Sequence, residues 1–301
     1  MPDQTPDSPR GPGEPLPDGP VTFDLPLGPL RLRIVDLPTA WHPFVEENYA
    51  PFAEPPTASA PDLVVHCTPG AGIVIPLPGP GGTPVMQVDA LDGVGCHRIR
   101  SHWQDGEVDL ERGEARLTLT SCEAIPLRMS LENFLRVAGQ LMLPRRDAFL
   151  LHSAGILDAG RCFLFFGHSG AGKSTVTSLS APRSVLSDDM VLVDVSGETT
   201  RVHAVPFFGA FPPEQRTRGA YPAAAALRLR QADENRVETL SRARAVATVT
   251  SSVPFVHDLG LTNDHLTDLL VRFCHQVPVA DLHFTRSTRF WEPLHQNFGD
   301  A

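Results

Sequence analysis

CFLFFGHSGAGKS, residues 162–174, decides how this sequence reads. Five apolar residues, Cys162–Phe166, run straight into Gly167-His168-Ser169-Gly170-Ala171-Gly172-Lys173-Ser174, which fills every fixed position of G-x-x-x-x-G-K-S. The apolar run is too short for a helix and reads as a buried strand. Glycines in the loop let backbone N–H groups converge on phosphate oxygens with no Cβ in the way. A helix that leaves at Lys173 and stops at Pro182 would add its positive end. Lys173 supplies a point charge for the β- and γ-phosphates, and the Ser174 hydroxyl is a ligand for Mg²⁺. The expected nucleotide-binding residues are thus Gly167, His168, Ser169, Gly170, Ala171, Gly172, Lys173, Ser174 and Thr175, a loop that serves kinases, transporters, GTPases and motors alike.

A nucleotide site also needs an acid near the metal. Val185-Leu186-Ser187-Asp188-Asp189-Met190-Val191-Leu192 offers two adjacent ones in an otherwise apolar run. In a regular strand they would face opposite sides, and one would meet the core. One aspartate can reach Mg²⁺ and the other the incoming nucleophile; a simple Ser-Asp-Asp turn is the bland alternative. His152 follows Phe149-Leu150-Leu151 and precedes Ser153-Ala154-Gly155. Its strand could pair with the loop strand through Leu157-Asp158-Ala159-Gly160, bringing the imidazole near the phosphates.

Strands expected at Ala148–Leu151, Cys162–Phe166 and within Val185–Val195 surround the loop. An amphipathic helix carries Leu266, Leu269, Leu270, Phe273 and Cys274, and Val277–Phe284 closes the region as a strand. Upstream the chain reads differently. Twenty of its 30 prolines fall within residues 1–84 of 301, so the proline excess belongs to the N-terminal half. Residues 1–20 read as a Pro/Gly-rich disordered leader, with no basic-then-apolar pattern of a signal peptide. Residues 21–33 read as a strand pair broken at Gly28-Pro29. Asp62–Cys67, Gly72–Ile75, Thr83–Val88 and Ala115–Thr120 read as further short strands. Ser130 is the expected N-cap of a helix with Leu131, Phe134, Leu135, Ala138, Leu141 and Met142 on one face, ended by Pro144.

Composition excludes several functions. No segment approaches 18 uninterrupted apolar residues, so no membrane partner is expected. A net charge of −10 argues against a broad grip on nucleic acid. Five scattered cysteines form no zinc pattern and fit a reducing cytoplasm. Arg216, Arg218, Arg228 and Arg230 read as a solvated, mobile basic loop, with contact to a peptide or nucleotide as the sharper alternative. Pro206-Phe207-Phe208-Gly209 either walls the site or fills the core. Trp41, Trp103 and Trp291 read as packing anchors.

His152, the loop from Gly167 and the pair Asp188-Asp189, in this order and spacing, resemble the catalytic domain of HPr kinase/phosphorylase. Leu150–Gly155, Leu186–Asp189, Pro206–Gly209 and Val277–Ser287 are more similar still to the HPr-kinase-like proteins of ribosomal-peptide maturation clusters, lasso-peptide tailoring kinases among them. The resemblance implies an α/β P-loop domain of the HPr kinase and phosphoenolpyruvate carboxykinase type at 146–301, preceded by a smaller β-rich (α+β) domain at 21–145. It implies transfer of the γ-phosphoryl group of ATP to a serine or threonine hydroxyl of a peptide or small protein. Asp188 would be the base, Asp189 together with Ser174 would hold Mg²⁺, and His152 would stand by the γ-phosphate beside Lys173. The order of the two aspartates stays open, as do a homo-oligomeric state, a regulatory module without phosphotransfer and an HPr-type serine kinase of sugar regulation. Arg236 is the only stand-in for the family's arginine-containing second signature, a departure that bears on HPr as substrate and on the reverse reaction, both of which stay open. The extra metal ligands of phosphoenolpyruvate carboxykinase and the signature motif of ABC transporter ATPases are not found.

Overall fold

A computed structural model describes residues 20–49, 51–79, 82, 85–121, 123–207, 209–211, 215–255 and 264–299. The expected leader, apart from Pro20, lies outside the described residues, as do Cys122 and Phe208. The architecture is mixed α/β, built on two sheets. Among the described residues no helix is long and apolar enough to cross a membrane.

The chain divides into two compact units: Met1–Pro26 with Arg31–Phe134, and Leu27–Leu30 with Leu135–Ala301. The division falls inside helix α2 (Ala124–Met142). That helix begins six residues before Ser130, because Pro126 sits in its first turn, where a missing N–H costs nothing.

β1 (Val21–Leu27), β2 (Leu30–Leu37), β3 (Leu63–Pro69), β4 (Gln87–Ala90), β5 (Cys96–Ser101), β6 (Gln104–Asp109) and β7 (Glu114–Leu119) form a sheet of order β1-β2-β3-β7-β6-β5-β4, and all their residues but Leu27 and Leu30 belong to the first unit. Leu30, Leu32 and Ile34 alternate inward along β2, as a half-buried strand requires. Phe134 lies against Gly106 of β6, where a Cβ would collide with its ring. The turn-rich Gly72–Ile75 is not a strand: only Val74 N–H reaches the neighbouring backbone, at His102 O. A short helix, α1 (His42–Asn48), buries Phe44 and Val45 with Pro43 in its first turn. Asp24 is wholly buried, with Arg33 on both its oxygens at 2.7 and 3.0 Å and Arg31 at 3.3 Å. Thr57 N–H adds a bond at 3.1 Å.

The second unit holds β8 (Ala148–Leu151), β9 (Ser153–Asp158), β10 (Arg161–Phe166), α3 (Lys173–Leu179), β11 (Ser184–Ser187), β12 (Val191–Asp194) and β13 (Arg201–His203). It continues with β14 (Ala220–Gln231), β15 (Arg236–Thr239), α4 (Arg242–Thr250), α5 (Asp264–Gln276), β16 (Val279–Phe284) and α6 (Trp291–Phe298). The strand order is β11-β9-β10-β14-β13-β12-β8, with β16 on β14 and β15 on β16. β10, β14 and β16 are mutually parallel. Phe163, Phe165, Leu227 and Leu282 on these strands share a cluster with Val176 of α3 and Trp291 and Leu294 of α6. Each such fully buried side chain contributes about 2–3 kcal/mol. Trp291 meets Phe163 and Phe165 edge-on at 5.3 and 5.7 Å.

Of the four arginines expected in a solvated basic loop, Arg218 and Arg230 are exposed, whereas Arg216 and Arg228 are part of this framework. Arg216 is buried and donates to Phe207 O at 2.6 Å. Arg228 on β14 holds Asp281 of β16 with two bonds, at 2.5 and 2.6 Å, with Arg230 at 3.6 Å. Four arginines within residues 216–230 read as solvent-facing. The acid that neutralises Arg228 and Arg230 lies some fifty residues away and is invisible locally.

Candidate functional site

The strand registers bring the expected residues to one edge of the sheet. β9 runs antiparallel to β10 with Ser153 opposite Phe166, so His152 and Gly167 emerge side by side. β11 runs antiparallel to β9 with Ser187 opposite Gly155, so Asp188 and Asp189 emerge at the same edge. His152 is not inside the strand that pairs with β10. It separates β8, which pairs with β12, from β9, and its N–H is fixed by Ser252 O at 2.8 Å. The acids form a bend between β11 and β12, in which the Ser187 hydroxyl accepts from the N–H groups of Asp189 and Met190 at 3.3 and 3.1 Å.

The loop needs its glycines for two different reasons. Gly170 has φ +80° with open space where a Cβ would stand, so only its backbone conformation requires glycine. Gly172 has φ +111°, and a Cβ there would lie 2.7 Å from the Phe284 ring. Lys173 Nζ donates to Gly167 O at 3.1 Å, the first residue of the loop. Gln231 at the end of β14 donates to Gly170 O at 2.9 Å. Gly170 and Ser174 are exposed, as are His168 and Ser169, with His168 Nδ1–H on Ser169 O; Ala171 is buried and Thr175 half-buried.

The two aspartates are held in different ways. Asp189 accepts from His152 Nε2 at 3.1 Å on one oxygen and from Arg136 Nη2 at 3.0 Å on the other. Burial pushes its carboxyl up, but His152, Arg136 and Lys173 outweigh that and hold it below the ordinary 3.8. Burial draws the Lys173 ammonium below the usual lysine range, and Asp189 opposes that shift. Asp188 is 6% exposed. Its Oδ2 accepts from the backbone N–H of Ala210 and Phe211 at 2.7 and 3.0 Å. Among the described residues its Oδ1 has no hydrogen-bond partner. Gly209 packs so closely on this carboxyl that a Cβ there would overlap it. Among the described residues no hydrogen bond joins Gly167–Thr175 to His152, Asp188 or Asp189; the link is the Coulomb attraction between Lys173 and Asp189.

Arg136 escaped the sequence reading. It lies one residue past Leu135 on α2, and its guanidinium also stands over the Phe207 ring at 5.5 Å. The only local signal was an arginine directly beside the apolar face of a helix. Phe207 proves to be both core and platform: it is fully buried, beneath Arg136. Arg236 is exposed on β15 and paired with Glu234 and Glu238, each at 3.0 Å, so it belongs to a surface ion pair. Burial raises the thiols of Cys67 to about 12 and of Cys274 to about 11, out of the nucleophilic range.

Among the described residues no group of three His, Cys, Asp or Glu side chains could enclose a metal ion. The donors at the edge, the Ser174 hydroxyl and two carboxylates with one orphaned oxygen, are hard oxygens of the kind Mg²⁺ takes when phosphates supply the rest. No curated protein matches the sequence. Residues 128–299, more than half of the chain and all of the edge just described, match the family of the SynChlorMet cassette protein ScmC, and the chain belongs to that family.

Proposed function

We propose that the protein is an ATP- and Mg²⁺-dependent, HPr-kinase-like P-loop kinase. It transfers the γ-phosphoryl group to a serine or threonine hydroxyl of a peptide or small protein, as a ribosomal-peptide tailoring kinase would. One observation carries the reading: a buried carboxylate with an unpartnered oxygen, Asp188 Oδ1, emerges at the sheet edge that also carries Gly167–Ser174 and His152. A buried acceptor left open carries a desolvation cost of about 1–3 kcal/mol, and a proton from the acceptor hydroxyl would satisfy it.

In this reading the loop amides and Lys173 hold the β- and γ-phosphates, and the acceptor hydroxyl approaches in line. Its oxygen bonds to the γ-phosphorus as the bond to the β–γ bridging oxygen breaks. The electron pair leaves on ADP, and the hydroxyl proton passes to Asp188 Oδ1. His152 and Lys173 offset the negative charge on the phosphoryl oxygens. Ser174 and Asp189 would hold Mg²⁺, which neutralises phosphate charge.

The test is mass spectrometry of serine- and threonine-containing peptides encoded by neighbouring genes, incubated with ATP, Mg²⁺ and the full chain. The reading expects a gain of one or more phosphates that is lost in Lys173→Ala. Tight ATP binding with no phosphate gain on any peptide, or on HPr, would replace it with a regulatory nucleotide-binding module.

A further inference from the structure

A cleft of about 370 Å³ opens beside the loop, lined by Thr175, Gln231, Ala232, Asp233, Phe284 and Arg286. It is of the size of small-molecule sites. It lies where β14 and β16 end, and both are parallel to β10, which ends in the loop. In open α/β sheets the carboxyl ends of parallel strands are where ligands bind.

The strand order fixes a direction. β9, with His152 before it, flanks β10 on one side, and β14 flanks it on the other. The loop therefore stands between the edge with Asp188 and His152 and the cleft. A triphosphate whose reacting end faces Asp188 must send its other end towards Thr175 and the cleft. The cleft wall is tied to the loop by the bond from Gln231 to Gly170 O, and its floor by the Phe284 ring against Gly172.

We infer that this cleft holds the nucleoside half of a nucleoside triphosphate, with the ribose hydroxyls on Asp233 and the base against Arg286. The inference rests on the phosphate-loop reading above. Asp233 and Arg286 line one cleft with opposite charges, and no hydrogen bond or ion pair engages either among the described residues. A carboxylate accepts from ribose hydroxyls as it does in dinucleotide sites. A guanidinium plane stacks on a base face. Both groups are exposed, so replacing them leaves the core intact.

The test is calorimetric titration of the full chain with Mg-ATP and, separately, with Mg-tripolyphosphate. ATP is expected to bind at least about tenfold more tightly than tripolyphosphate. Asp233→Ala and Arg286→Ala should each weaken ATP about fivefold or more, leave tripolyphosphate unchanged and keep the wild-type melting temperature. Lys173→Ala should weaken both ligands. Equal affinity for the two ligands, or cleft variants that leave ATP binding untouched or weaken both ligands alike, would overturn the assignment while the loop reading stands. If the wild-type chain binds neither ligand, the phosphate-loop reading falls and takes the cleft with it.

Discussion

Asp24 in the first unit and Asp188 in the second are both buried carboxylates, yet their partners differ in kind. Asp24 is covered on both oxygens, by Arg33, Arg31 and the Thr57 N–H. Asp188 is hydrogen-bonded on one oxygen only, by two backbone amides, and among the described residues its other oxygen, packed against Gly209, accepts no hydrogen bond. A carboxylate taken out of water is held by charge and hydrogen bonds when it serves the fold. One left half-open is a cost the fold bears, which is where function is sought. The contrast is between a fully paired acid and a half-paired one, which the proposed function makes the reactive group, and it can be broken from either side.

The largest effect is expected at Asp188. Asp188→Asn keeps the shape and one acceptor for the amides but removes the proton acceptor. Transfer should fall by about 10³-fold, while the thermal midpoint stays level or rises as the buried charge disappears. Steady-state rates and melting curves on the same preparation check both halves. A variant that keeps its rate would remove Asp188 from the chemistry and leave it a turn residue.

Asp24→Ala should do the opposite. It strands Arg33 and Arg31 and should cost about 3 kcal/mol in urea unfolding, with the transfer rate of the folded fraction unchanged. A matching loss is expected for Asp281→Ala, which leaves Arg228 without its bidentate partner. If either variant unfolds at the wild-type urea concentration, full coordination is not what these acids contribute.

Arg136 sits between the two cases, since it completes Asp189 as Arg33 completes Asp24. Arg136→Gln should lower the transfer rate about tenfold, or 1.4 kcal/mol, by loosening Asp189. Arg136→Lys should restore part of the rate, because it keeps the charge but loses the planar fork. Single-turnover rates for the three proteins decide this, and equal rates in all three would make Arg136 a packing residue.

How much of this was legible beforehand follows the range of each interaction. The loop strand, Ala148–Leu151 and the hairpin at Asp158–Gly160 are local patterns, and the structure forms β8, β9 and β10 there. β14 was not legible. Four consecutive alanines after Pro222 have the composition of a helix or loop, and only pairing with β10 along them, with β16 joining from Ala226, makes them a strand. The acids were legible as a pair but not as different kinds, because the amides that cap Asp188 come from Ala210 and Phe211 and the cation on Asp189 from α2. Adjacent residues carry no sign of partners that lie 22 to 53 positions away.

The finest distinction is in the acid limb of stability. Burial pushes the Asp24 carboxyl up, but Arg33, the Thr57 N–H and Arg31 together hold it below 3.8. A carboxylate with a depressed folded value binds fewer protons folded than unfolded. Its contribution is complete above 3.8 and fades as pH falls through the lower folded value. Asp189 has the same sign, with His152 and Arg136 as the lowering partners. The gap in unfolding free energy between wild type and Asp24→Asn should therefore stay constant from neutral pH down to the ordinary carboxylate value and narrow below it. Urea titrations at stepped pH measure that gap directly. A gap that widened towards acid would mean that the folded protein favours protonated Asp24, so that burial rather than the two arginines governs it and the contrast with Asp188 loses its electrostatic basis.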